Sequence, residues 1–90
     1  MQTQRVMQLN EAFGHVLRSR RLQRNFSQEY LAELAGLHRN FIGLIERAKT
    51  SASVESLEAL ASALECRASD FMLDAERLIA GNKTDNNKAN

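Results

Sequence analysis

The sequence has no proline and no tryptophan, one cysteine, two histidines and only four glycines among its 90 residues. Each shortage excludes something. A single thiol, Cys66, makes no internal disulfide, and Cys66 with His15 and His38 is too small a set to assemble a metal-ligand spacing, so redox and zinc chemistry drop out. No stretch approaches the roughly 18 apolar residues of a membrane span. The opening MQTQRVMQLN lacks the apolar run of a secretory signal. A cytoplasmic protein without a membrane partner is expected. A chain this short hides only about 60–65% of its unfolded surface when folded, which leaves room for one core and none for a large buried cavity. No cofactor and no small-molecule ligand are therefore expected. There is also no nucleophile with a matched base, no metal cluster and no phosphate-binding glycine loop, which argues against an enzyme.

What is present is ordinary in amount and uneven in placement. Hydrophobic residues make up 43% and charged residues 26%, values of a soluble globular protein. The net charge is only +1, yet residues 1–50 carry eight Arg or Lys against four acids, and residues 51–90 carry four against seven. A basic first half and an acidic second half suit a protein that turns one face toward phosphate. Many solvated helical proteins share such a split, so the charge alone decides nothing.

With so few breakers, the segments between polar steps read as helices. The first begins near Asn10, a good N-cap, and runs to about Arg24, with Phe13, Val16 and Leu17 on one face and Asn25 ending it. Ser27 caps a second helix, with Glu29 in its first turn and Leu31, Ala32 and Ala35 inward; Gly36 ends it by turning left-handed. Helical character resumes at His38 and continues through Phe41, Ile42 and Ile45 to about Arg47. After a loop over Ala48 to Ala52, Ser53 caps a fourth helix on which Leu57, Leu60, Ala61 and Leu64 form the strongest stripe of all. A fifth runs from Ser69 to about Ala80, with Phe71, Ala75, Leu78 and Ile79 on one side and Met72 beside them. Gly81 stops it, and the polar GNKTDNNKAN is expected to be disordered. The expected organisation is an arm over 1–9, an all-α five-helix domain over 10–80 and a tail over 81–90.

Two short helices joined by a tight glycine turn, the first capped by Ser and followed by Gln, meet the requirements of a DNA-binding helix-turn-helix. The first must aim its N-terminal amides at a phosphate while the second lays its leading side chains along base edges. In these residues the chain resembles a known family: FSQEYLAELAGLHRNFIGLIERAKT is similar to the Cro-like, lambda-repressor-type helix-turn-helix regulators. LRSRR upstream resembles that family's first helix and SVESLEALASAL its fourth, so the likeness covers roughly residues 13–72.

The resemblance implies roles by position. Ser27 and Gln28 would face a phosphate, His38 would open the reading helix, and Arg39, Asn40 and Leu44 would lie against bases, with Gly43 leaving space for close approach. Their chemistry agrees: an Arg fork fits guanine O6 and N7, Asn pairs with adenine N6 and N7, and Leu can touch a thymine methyl. Arg47, Lys49 and Thr50 would follow the sugar-phosphate backbone, which positions without specifying sequence. Arg21 and Glu46 stand where the family joins its first and third helices by an ion pair. Three residues depart from the family pattern: His38 replaces a Ser or Thr cap, and Ala48 and Glu65 replace glycines suited to positive φ, which predicts that those turns differ in detail.

Other residues receive plainer readings. Cys66 is expected as a buried structural thiol, and His15 as solvated. Arg18, Arg20 and Arg24 read as exposed-face charges rather than specific readers, with a phosphate contact by one of them as the alternative. Phe13, Leu17, Phe26, Leu31, Ile42, Ile45, Leu57, Leu60 and Leu64 are expected in the core. Met72, Leu78 and Ile79 exceed what a monomer needs and point to a two-fold dimer seam, hence a homodimer on near-palindromic duplex DNA. Glu29 and Glu33 stand where some family activators touch RNA polymerase. Size and layout match restriction-modification controllers, phage repressors and antitoxins; a module whose helices bind a partner protein is the competing class. With no ligand-binding domain expected, control would come from protein concentration and operator arrangement.

Overall fold

A computed structural model describes residues 7–88, with side chains over 7–81. Five helices follow one another: α1 (Leu9–Gln23), α2 (Gln28–Ala35), α3 (Arg39–Glu46), α4 (Val54–Ala63) and α5 (Ala68–Lys88). The described residues contain no strand. Residues 1–6, most of the expected arm, and 89–90 lie outside the described residues.

Local chemistry explains the starts. The Gln8 N–H donates to the Glu11 carboxylate (2.9 Å), which begins α1 ahead of Asn10 and corrects both the expected cap and the arm's end. Ser27 Oγ accepts from the Tyr30 N–H (2.9 Å) and Ser53 Oγ from the Ser56 N–H (3.0 Å). Each hydroxyl satisfies one of the orphan donors of a helix's first turn.

The ends share one device. After α1, α2, α3 and α4 the chain steps through a left-handed residue: Asn25 (φ 60°), Gly36 (φ 71°), Ala48 (φ 59°) and Glu65 (φ 58°). The following N–H reaches back to a carbonyl of the last turn: Phe26 to Arg21 (3.1 Å), Leu37 to Ala32 (2.9 Å), Lys49 to Leu44 (2.8 Å) and Cys66 to Ala61 (2.9 Å). These are Schellman closures. The expectation that Ala48 and Glu65 alter their turns is therefore corrected. The turn geometry persists in residues with a Cβ, each of which bears a strain of about 1–2 kcal/mol.

α5 departs from expectation in the other direction. Gly81 has no positive φ and α5 continues through it to Lys88, where a stop and a disordered tail were expected. Glycine within a helix costs only about 1 kcal/mol relative to alanine, and extending an established helix is far easier than starting one.

The core gathers one face from each helix. Leu17, Leu31, Ile42, Ile45, Leu60 and Phe71 are its largest fully buried side chains, with Phe13 and Phe71 rings 5.2 Å apart. α1 packs on both α3 and α5, and α2 on α3 and α4. Phe26 and Leu57, expected in the core, are half-buried and pack against it. Arg20 is no free surface charge: it donates to Asp74 Oδ2 (2.7 and 3.1 Å) and lies over the Phe71 ring (5.5 Å), tying α1 to α5. Arg24 pairs with Glu65 (3.2 Å) across the surface. Cys66 is half-buried, less enclosed than expected, and burial pushes its thiol above the usual pKa against the opposing pull of Arg20.

Candidate nucleic-acid interface

At about 100° per residue, the eight residues of α3 and its C-cap Arg47 divide cleanly. Arg39, Gly43, Arg47, Asn40 and Leu44 fall within an arc of about 140°, and Phe41, Ile42, Ile45 and Glu46 occupy the rest. Ile42 and Ile45 are buried, whereas Arg39, Asn40, Leu44 and Arg47 are exposed, as is Lys49 just beyond. One side of the helix thus belongs to the core and the other to solvent. The exposed side offers a guanidinium, an amide and an apolar side chain, followed by two further cations.

His38 starts α3 as its N-cap, with Nδ1 accepting from the Asn40 N–H (3.2 Å). In this contact His38 does the work of the Ser or Thr it replaces. Ser27 is exposed at the start of α2.

The angle of α3 is set by a buried polar hub. The Glu46 side chain is 3% exposed and accepts from Arg21 Nε (2.6 Å), Arg21 Nη2 (3.1 Å) and Gln28 Nε2 (3.1 Å). Arg21 also donates through Nη1 to the Phe26 carbonyl (2.8 Å), and Arg18 Nη1 lies 3.8 Å from Glu46. One carboxylate thereby joins α1, α2 and α3. A fork-to-fork pair fixes orientation as well as distance, and breaking it would leave a buried charge unpaired.

Glycines decide the closeness of approach. A Cβ on Gly14 would stand 2.5 Å from the Ile45 carbonyl oxygen and 2.8 Å from that of Glu46, so α1 and α3 meet backbone to backbone. Gly14 was not singled out in the sequence, although a glycine within a helical run is a signal of close packing. Gly43 requires a correction. It is buried, and a Cβ there would meet Arg47 Nη1 at 3.1 Å and Gln28 Oε1 at 3.5 Å, so its missing side chain makes room for these two residues rather than offering a bare surface to a base.

The remaining expected residues separate. Glu29 and Glu33 are exposed on α2, and Glu29 Oε1 lies 3.9 Å from Arg39 Nη1. Thr50 is half-buried and lines a groove of about 360 Å³ with Leu9, Phe13, Leu57 and Met72, at the edge of the α3 surface. Met72, Leu78 and Ile79 are half-buried within their own chain. Met72 and Ile79 share a face of α5, whereas Leu78 lies about 240° round from Met72. Leu78 lines a different groove, with Val16 and Arg20. Among the described residues the most exposed large hydrophobic side chains are Val54 (81%), Leu22 (49%), Tyr30 and Leu34 (46% each), Leu73 (45%) and Leu9 (43%).

Among the described residues, no group of His, Cys, Asp and Glu could hold a metal ion and no helix is long and apolar enough to cross a membrane. Known proteins share both the pattern and the architecture. A family model described as helix-turn-helix matches residues 17–71. The chain belongs to the helix-turn-helix family.

The chain is 43% identical over 58 residues to the control protein C.SmaI of Serratia marcescens, covering 64% of this chain and 69% of that protein. The restriction-modification controller protein C.AhdI of Aeromonas hydrophila superposes with a TM-score of 0.68 at 35% identity, over 69% of this chain and 94% of its own. The clp gene regulator ClgR of Corynebacterium glutamicum superposes with a TM-score of 0.85 at 26% identity, over 94% and 90%. These relatives are regulators and control proteins, not enzymes, and this helix-turn-helix chain is likewise a DNA-binding regulator of transcription.

Proposed function

We propose that this helix-turn-helix protein acts in the cytoplasm as a restriction-modification controller, binding near-palindromic duplex DNA as a homodimer. The observation that carries the reading is the division of α3: Ile42 and Ile45 are locked into the core while Arg39, Asn40 and Leu44 stand exposed on the opposite face. A helix anchored in this way can enter a major groove about 12 Å wide without unfolding anything. Arg39 reads guanine, Asn40 reads adenine and Leu44 meets a thymine methyl. Ser27, Gln28, His38, Arg47, Lys49 and Thr50 flank them along the backbone, where charge sets affinity and register. Likeness to C.SmaI and C.AhdI favours a controller over a phage repressor or an antitoxin.

The second copy docks through Val54, which is 81% exposed and without cover in one chain, and through Leu57 and Met72, which line the groove beside Thr50. Two copies would place their α3 helices about one DNA turn, ~34 Å, apart. The exposed Glu33 remains available to a polymerase contact.

Selection of bound DNA from a random pool tests the reading. It should return two inverted half-sites one turn apart, with affinity falling steeply as salt rises. Arg39→Ala should relax preference at one base pair of each half-site, and Val54→Glu should yield a monomer in sedimentation. Recovery of no preferred sequence, with binding indifferent to salt, would favour the protein-interaction module instead.

A further inference from the structure

On the face of α3 that reads DNA in the account above, one contact runs against the grain of the charges. Arg39, Arg47 and Lys49 are exposed cations there, yet the exposed Glu29 of α2 places Oε1 3.9 Å from Arg39 Nη1. Glu46, the one acid of α3, is buried and engaged by Arg21 and Gln28. Neither Glu29 nor Arg39 is held by packing: their side chains are 74% and 63% exposed. A carboxylate beside phosphate is unfavourable for affinity, so its position against the leading arginine calls for another consequence.

We propose that Glu29 is a specificity-determining residue that acts through Arg39, steering its guanidinium toward a guanine edge and away from phosphate. The inference rests on the reading of α3 as the DNA-reading helix. A guanidinium offers five N–H groups in a planar fork. With Nη1 turned toward Glu29, the Nε and Nη2 edge stays free, and two N–H groups suffice for guanine O6 and N7. Glu29 can therefore keep its contact while Arg39 reads guanine. On non-operator DNA the competing partner of Arg39 is a phosphate oxygen, and reaching it means leaving Glu29 and bringing a second anion close to the first. The same carboxylate thus favours the specific complex relative to the non-specific one. Exposed ion pairs are weak, which suits a tether that a guided side chain can still swing on.

Glu29→Gln preserves the shape and removes the charge. Affinities are measured at one salt concentration for the selected operator, for the operator with the guanine opposite Arg39 replaced, and for non-operator DNA. Discrimination at that guanine should fall about three- to fivefold, the scale an exposed charge pair can exert, and non-operator binding should tighten more than operator binding. Discrimination at the base pair read by Asn40 should not move. In an Arg39→Ala background, Glu29→Gln should leave discrimination unchanged.

Equal tightening on all three DNAs would overturn the proposal, because it would reduce Glu29 to bulk repulsion. So would an undiminished effect in the Arg39→Ala background. The two readings fail separately. If Arg39→Ala leaves base preference intact, the account of α3 is wrong and this inference falls with it. If Arg39→Ala abolishes the preference and Glu29→Gln does not alter it, the inference alone is lost.

Discussion

Replacing Gly14 by alanine sets two effects of opposite sign against each other, and the structure decides between them. Gly14 lies inside α1, where alanine should help by about 1 kcal/mol because it fixes less backbone freedom on folding. The new methyl would stand 2.5 Å from the Ile45 carbonyl oxygen, 2.8 Å from the Glu46 oxygen and 3.1 Å from the Glu46 carbonyl carbon. Ordinary carbon-to-oxygen contacts lie near 3.3 Å or longer, so the helices must part by about 0.8 Å. The opposing atoms are backbone and cannot rotate aside. They sit at the end of α3, already tied by the Lys49 N–H to the Leu44 carbonyl (2.8 Å) and by Arg21 to Glu46 (2.6 Å). Overpacking costs about 1–3 kcal/mol, and contacts this short against backbone belong to the upper half of that range, so Gly14→Ala should be destabilised by about 1–2 kcal/mol net. Urea unfolding followed by far-ultraviolet circular dichroism measures it, with Gly81→Ala as the control. Gly81 is helical with nothing within 4 Å of an added Cβ, so alanine there should be neutral or stabilising. A Gly14→Ala protein as stable as the parent, or more stable, would refute the backbone-to-backbone seating of α3 on α1.

The left-handed turns predict gains. Ala48→Gly and Glu65→Gly each remove a strain of about 1–2 kcal/mol and restore some unfolded-chain entropy, for a net stabilisation of about 1 kcal/mol apiece in the same unfolding assay. Glu46→Gln leaves the Arg21 guanidinium buried without its counter-charge and should destabilise by about 3–5 kcal/mol, read as a lower urea midpoint. The Cys66 thiol, pushed up by burial, should alkylate with iodoacetamide along a pH profile displaced to higher pH than that of free cysteine. By linkage, a raised thiol pKa means that the folded chain holds its proton longer than the unfolded one. That contribution to stability is full below the ordinary thiol pKa and is lost as pH rises through the folded value, a slope that Cys66→Ser should remove.

Much of this was legible because local signals and the global fold agree. Ser27 and Ser53 cap their helices, Gly36 turns left-handed, and the stripe of Leu57, Leu60 and Leu64 faces the core to the extent that helical periodicity requires. What escaped depends on contacts between elements distant in sequence. Gly43 read as space for a base and Gly14 drew no reading, yet Gly43 shelters beneath Gln28 and Arg47 and Gly14 seats a neighbouring backbone. Arg20 read as a solvated charge because nothing near it in sequence announces Asp74 or the Phe71 ring. Ala48 and Glu65 misled differently. Glycine is the easiest residue at positive φ, but a Schellman closure and the packing on either side can hold other residues there.

The exposed edge of α3 is tested most directly by methylation interference on selected operator DNA. N7-methylguanine blocks the acceptor that an arginine fork requires in the major groove. The parent protein should lose binding when one particular guanine in each half-site is methylated, and Arg39→Ala should be indifferent to methylation at that same guanine. An interference pattern identical in the two proteins would contradict the placement of Arg39 against a base.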